Sequence, residues 1–117
     1  MTDDSDDYEP GALVEYEGEF SFVFGTGRNN LESAVAVFEE MGYTGNGYTW
    51  DAVVDALIRM HASDLVDKLD YTSEGGMFCV ESTDPEALKI VAQLLRKALQ
   101  DTDLLREAIK NADKELF

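Results

Sequence analysis

The sequence predicts a two-layer α+β sandwich, with a small, mainly antiparallel sheet and about four helices packed on one of its faces. Three observations predict it. Phe20, Phe22 and Phe24 alternate with Ser21 and Val23, the period-two pattern of a strand with one buried face. Met77 to Ser82 reads as a second strand directly after Gly75-Gly76, a hairpin signal. Four stretches carry apolar residues at helical spacing. At 117 residues the chain holds one such domain, because two would each fall near the lower size limit of independent folding.

The elements follow in order. Met1 to Gly11 holds Asp3, Asp4, Asp6, Asp7 and Glu9 with a single aromatic, Tyr8. Such a segment buries too little apolar surface to offset its ordering entropy, so residues 1–11 are expected to form an acidic flexible tail and 12–117 the domain. Strand character runs from Ala12 to Phe24; either two short strands meet near Gly18 or one strand bends there. Gly25-Thr26-Gly27 ends it, and Asn29 or Asn30 is placed to cap a helix. That helix turns Leu31, Ala34, Val35 and Phe38 inward and Glu32, Glu39 and Glu40 outward, and Gly42 stands where a helix-terminating glycine belongs.

A turn from Tyr43 to Tyr48 then leads to Thr49, the expected cap of a helix from Trp50 to Ala62. Its apolar stripe is Trp50, Val53, Val54, Leu57 and Ile58. A short helical turn begins at Leu65, followed by a strand carrying Leu69 and Tyr71. Beyond the Met77–Ser82 strand, Thr83 and Glu86 fit a capping box with Pro85 in the first turn. Leu88, Val91, Ala92, Leu95 and Leu99 mark the third helix. Asp101 or Thr102 interrupts it and caps a fourth, with Leu105, Ile109, Ala112 and Leu116 as its stripe.

Charge narrows the function. Twenty-five acids against nine bases give a formal net charge of -16. Residues 1–58 hold thirteen acids and one base, Arg28, a net of -12; residues 59–117 hold twelve acids and eight bases, a net of -4. This field repels phosphate backbones, whose binding depends on Lys and Arg displacing counterions, so nucleic acid is not an expected partner. It attracts basic proteins and speeds encounter with them. The N-terminus lacks a basic-then-apolar leader and no run approaches the roughly 20 apolar residues of a membrane span, so a cytoplasmic protein is expected.

The catalytic inventory is thin. His61 is the single histidine and sits near a helix C-terminus, where an imidazolium offsets the helix dipole. Cys79, the single cysteine, lies inside a strand, where a thiol is usually buried and inert. One His and one Cys cannot build a tetrahedral zinc site without two carboxylates, and the acidic tail lacks the spacing of a calcium loop. Gly25-Thr26-Gly27 has Asn30 where a dinucleotide fingerprint needs its third glycine. No metal, cofactor or catalytic residue is therefore assigned.

The segment Gly45-Asn46-Gly47-Tyr48-Thr49-Trp50 stands out instead. Its glycines and asparagine favour a shaped turn, and Tyr43, Tyr48 and Trp50 concentrate the side chains that dominate interface hot spots. Asp51 and Asp55 add charge beside them. Trp50 also fits a purely structural role, packing the helix on the core.

At these residues the sequence resembles a known family. Gly45 to Trp50, then Gly75-Gly76-Met77-Phe78-Cys79 and the helix opened by Asp84-Pro85-Glu86-Ala87-Leu88, are similar to the immunity protein 51 family of bacterial polymorphic toxin systems. The similarity runs from about Phe20 to Phe117. It implies an α+β fold and protection of the producing cell from a cognate toxin, and it supplies no catalytic residues. Charge and resemblance together point to a non-catalytic protein that binds a basic toxin domain through Glu39, Glu40, Tyr48, Asp51 and Asp55. The sheet face around Glu15, Glu17 and Glu81 is the second candidate surface. Two other classes stay open. A broad nucleic-acid mimic would tolerate loss of Tyr48 or Trp50 better than loss of charge. An enzyme working through carboxylates alone would need a pocket pairing two of them, one with a raised pKa.

Overall fold

A computed structural model describes Tyr8 and residues 11–26 and 31–112 of the chain. Four strands form one antiparallel sheet: β1 (Ala12–Tyr16), β2 (Glu19–Gly25), β3 (Asp70–Tyr71) and β4 (Met77–Ser82), in the order β1-β2-β4-β3. The α-helices are α1 (Glu32–Glu40), α2 (Gly47–His61), α3 (Pro85–Gln100) and α4 (Thr102–Asn111), with a 3-10 helix at Ser63–Lys68 between α2 and β3. The fold is α+β, as the alternation and the helical stripes predict.

The open question at Gly18 resolves as two strands. Tyr16 pairs with Glu19 across a two-residue turn, Glu17-Gly18, whose φ angles are 52° and 83°. Both central residues are left-handed, the geometry of a type I′ turn that matches the twist of the flanking strands. Gly18 adopts it freely and Glu17 does so under strain. Replacing Glu17 with Asn, a residue favoured at this position, should raise stability by about 0.5–1 kcal/mol in chemical denaturation. An unchanged or lowered midpoint would contradict the turn assignment.

Alternation along β2 and β4 sorts their side chains. Phe22 pairs with Val80 and Phe24 with Phe78, and all four are buried beneath α2 and α3. Trp50 joins this layer to α1. Its ring stands edge-on to Phe24 at 5.4 Å and to Phe38 at 4.9 Å between centroids, and it is fully buried. Trp50 is thus a core residue. Its Nε1–H finds no hydrogen-bond acceptor among the described residues, a local cost accepted for aromatic packing. α4 packs on α1, α2 and α3.

Helix starts revise the expectations. α2 begins one turn before Thr49: Asn46 is the cap, and its Oδ1 accepts from the Thr49 N–H at 2.9 Å and from the Thr49 hydroxyl at 3.2 Å. The supposed loop from Gly47 to Trp50 is therefore helix. α3 is capped by Asp84 rather than Thr83, with the Glu86 N–H donating to Asp84 Oδ1 at 3.0 Å and Pro85 in the first turn. Of the two candidate caps of α4, Asp101 acts and Thr102 is the first helical residue; Asp101 accepts from the Asp103 N–H at 3.0 Å. Leu31 occupies the N-cap position of α1, and Asn29, Asn30 and Leu116 lie outside the described residues.

Within the segment expected to form the tail, Tyr8 is buried against the core, and its carbonyl accepts from the Gly11 N–H at 2.7 Å. The remainder of 1–10 lies outside the described residues.

Candidate partner-binding site

α2 is the most enclosed helix of the domain. Thr49, Trp50, Ala52, Val53, Val54, Ala56, Leu57 and Ile58 are all buried. What remains open between Tyr48 and Arg59 is one stripe, Tyr48, Asp51, Asp55 and Arg59, spaced by three, four and four residues and so on one face. Tyr48 is 45% exposed although it is a large aromatic. Three of the predicted partner-binding residues thus share a single surface.

The turn between β3 and β4 closes over the start of this stripe. The Gly47 N–H donates to the Gly75 carbonyl at 3.0 Å, and a side-chain carbon at position 47 would collide with the carbonyl oxygens of Glu74 and Met77. Only glycine permits this approach. It places Ser73 over Asp51: the Ser73 hydroxyl donates to Asp51 Oδ1 at 2.5 Å and accepts from the Cys79 N–H at 2.8 Å.

The two aspartates differ in their surroundings. Asp55 is matched by Arg59, whose Nε lies 2.9 Å from its carboxylate and whose guanidinium also donates to the Asn111 carbonyl at 3.1 Å. Asp51 has the Ser73 hydroxyl and, among the described residues, no ion-pair partner. Burial pushes its pKa up from 3.8 to about 6, an effect the Ser73 hydrogen bond opposes. Beside them, burial and then the charges of Asp55 and Asp51 push the Tyr71 phenol upward against the pull of Arg59, so it stays protonated.

Glu39 and Glu40 are placed differently. Both are exposed on α1, and Glu40 pairs with Arg106 of α4 at 3.0 Å rather than joining the aspartates. Sequence reasoning missed Arg59, Tyr71 and Ser73. Arg59 was legible as the residue four beyond Asp55. Ser73, twenty-two residues from Asp51, carried no local signal.

His61 is exposed at the end of α2, on the helical side of the sheet. Cys79 pairs with Val23 and so belongs to the opposite face of β4 from Phe78 and Val80. The sheet stands between the two. An open cleft of about 510 Å³ lies at the other end of β4 from the Gly47 contact, lined by five carboxylates (Glu19, Asp67, Asp70, Glu81 and Asp84) and by Lys68, which pairs with Asp84 at 3.4 Å. No group of three or more His, Cys, Asp or Glu among the described residues is arranged to hold a metal ion, and no helix there is long and apolar enough to cross a membrane.

The fold and the stripe together define a small anionic α+β domain with an acidic, aromatic-bearing helix face. The chain is a member of the immunity protein 51 family, whose model matches residues 12–114. No curated protein and no solved structure matches it.

Proposed function

We propose that this chain is a non-catalytic immunity protein that acts in the cytoplasm by binding a cognate toxin domain with a basic surface. Membership of the immunity protein 51 family supports the toxin-neutralising role. The observation that supports the site is Asp51: a carboxylate half withdrawn from water, with no ion-pair partner among the described residues, beside an exposed tyrosine on the open stripe of α2. An incoming Lys or Arg would supply the missing positive charge. Tyr48 would provide the apolar anchor, with Asp55, Glu39 and Glu40 adding field that raises the encounter rate.

A second reading has one observation in its favour. A carboxylate with a raised pKa beside another carboxylate is the signature expected of an acid–base enzyme. Here the shift comes from burial rather than from the neighbouring carboxylate, and Asp55 is already held by Arg59. The stripe also lies away from the described cleft, so we favour binding.

Titration calorimetry of the purified chain with the product of the neighbouring gene, as the candidate toxin, tests the proposal. Binding is expected, and Tyr48→Ala should weaken it by about 2 kcal/mol, chiefly through faster dissociation. Full retention of affinity in Tyr48→Ala, with loss in charge-removing variants only, would instead identify a broad acidic mimic.

A further inference from the structure

We propose that β1 is an open sheet edge which the toxin completes, adding an extended cationic segment to it as a fifth strand. This inference rests on the immunity reading and gives it a second contact surface, separate from the α2 stripe.

The sheet order leaves two edges, β1 and β3. β3 is two residues long, too short to template a strand. β1 has five residues, pairs only with β2 among the described residues, and runs from Ala12↔Val23 to Tyr16↔Glu19 without a bulge. In a two-residue hairpin the closing pair exchanges hydrogen bonds, and such pairs alternate along the ladder. Tyr16, Val14 and Ala12 are therefore bonded to β2. Leu13 and Glu15 turn their N–H and C=O groups outward, away from the sheet.

Edge strands usually carry devices that prevent pairing: lysine, proline, a bulge or a covering element. β1 has no lysine, no proline and no bulge. It instead shows Val14 49% exposed and Tyr16 73% exposed on the face away from the helices. Such apolar exposure beside unpaired main chain suits strand addition, where backbone bonds give affinity and alternate side chains give specificity.

Charge selects the occupant. The four strands contain Glu15, Glu19, Asp70 and Glu81 and no base, and Glu17 stands in the turn beside β1. A second copy would bring another net -16 to this edge. A strand with basic residues alternating with apolar ones fits: the basic positions meet Glu15, and the apolar positions meet Val14 and Tyr16 on the other face.

The test uses the whole chain, 15N-labelled, with the product of the neighbouring gene as the candidate toxin. Amide exchange of Leu13 and Glu15 should slow by roughly tenfold or more in the complex, as new hydrogen bonds protect them. Glu15→Pro removes one outward N–H without breaking a β1–β2 bond, and should weaken the complex roughly tenfold while the free protein keeps its folded amide spectrum. Tight binding with exchange unchanged at both amides would overturn the edge proposal and leave the immunity reading standing. No binding at all would overturn both. Protection of Leu13 and Glu15 that rises with the chain's own concentration, without toxin, would show that a second copy takes the edge.

Discussion

Gly47→Ala should destabilise the domain by about 3 kcal/mol or more, because the added carbon meets main chain and not a movable side chain. The Met77 carbonyl oxygen would lie 2.6 Å from it, and the Glu74 oxygen nearer still. Relief requires the β3–β4 turn to lift off α2, which breaks the Gly47–Gly75 hydrogen bond and carries Ser73 away from Asp51. Gly75→Ala is the matched control. An added carbon there meets nothing within 4 Å, so its effect should be under about 1 kcal/mol. Urea denaturation of both variants provides the comparison. Equal, small losses would mean that the turn does not clamp the helix.

Asp51→Asn should stabilise the protein near neutral pH while weakening its complex. The folded protein holds the Asp51 proton more tightly than the unfolded chain does, since burial raises its pKa from 3.8 to about 6. Stability therefore falls as pH rises from about 4 through 6, and the cost is complete above that window. A shift of this size corresponds to at most about 3 kcal/mol, and solvent screening of a half-buried carboxylate reduces it to about 1–2 kcal/mol. The amide can still accept the Ser73 hydroxyl and has no charge to desolvate. The midpoint of thermal unfolding should rise by about 3–8 °C at pH 7.5, and the gain should vanish below pH 4. A gain independent of pH, or a loss at every pH, would contradict the origin assigned to the shift.

Much of this fold was legible in the sequence, for reasons that can be named. Phe20, Phe22 and Phe24 reported β2 because one face of that strand is buried, and period-two alternation is the direct imprint of such burial. Leu88, Val91, Ala92 and Leu95 reported α3 because the helix lies on the sheet along a single stripe. Helix starts were less legible. Asn46, Thr49, Thr83 and Asp84 are all competent caps, and which one acts depends on a backbone angle set by packing rather than by side-chain type. Composition marks the acidic segment around Tyr8 as unpacked and carries no signal that this one ring is buried.

The site was half legible. Tyr48, Asp51 and Asp55 share a helix face, so their common placement follows from spacing alone. Their unequal chemistry does not. It depends on Ser73 and Tyr71, brought in by the β3–β4 hairpin, and on Arg59 neutralising one aspartate and leaving the other. Glu39 and Glu40 were grouped with them by charge, and the fold turns Glu40 toward Arg106 instead.

The central claim is that the acidic stripe of α2 captures a basic toxin surface, and association kinetics test it most directly. Stopped-flow mixing of the chain with the product of the neighbouring gene, as the candidate toxin, at low and physiological ionic strength, should show association slowing as salt rises. The double variant Asp51→Asn, Asp55→Asn should associate several-fold more slowly at low salt and show a flatter salt dependence. If the double variant matches the wild type at both ionic strengths, the α2 stripe does not face the toxin and the account of this site is wrong.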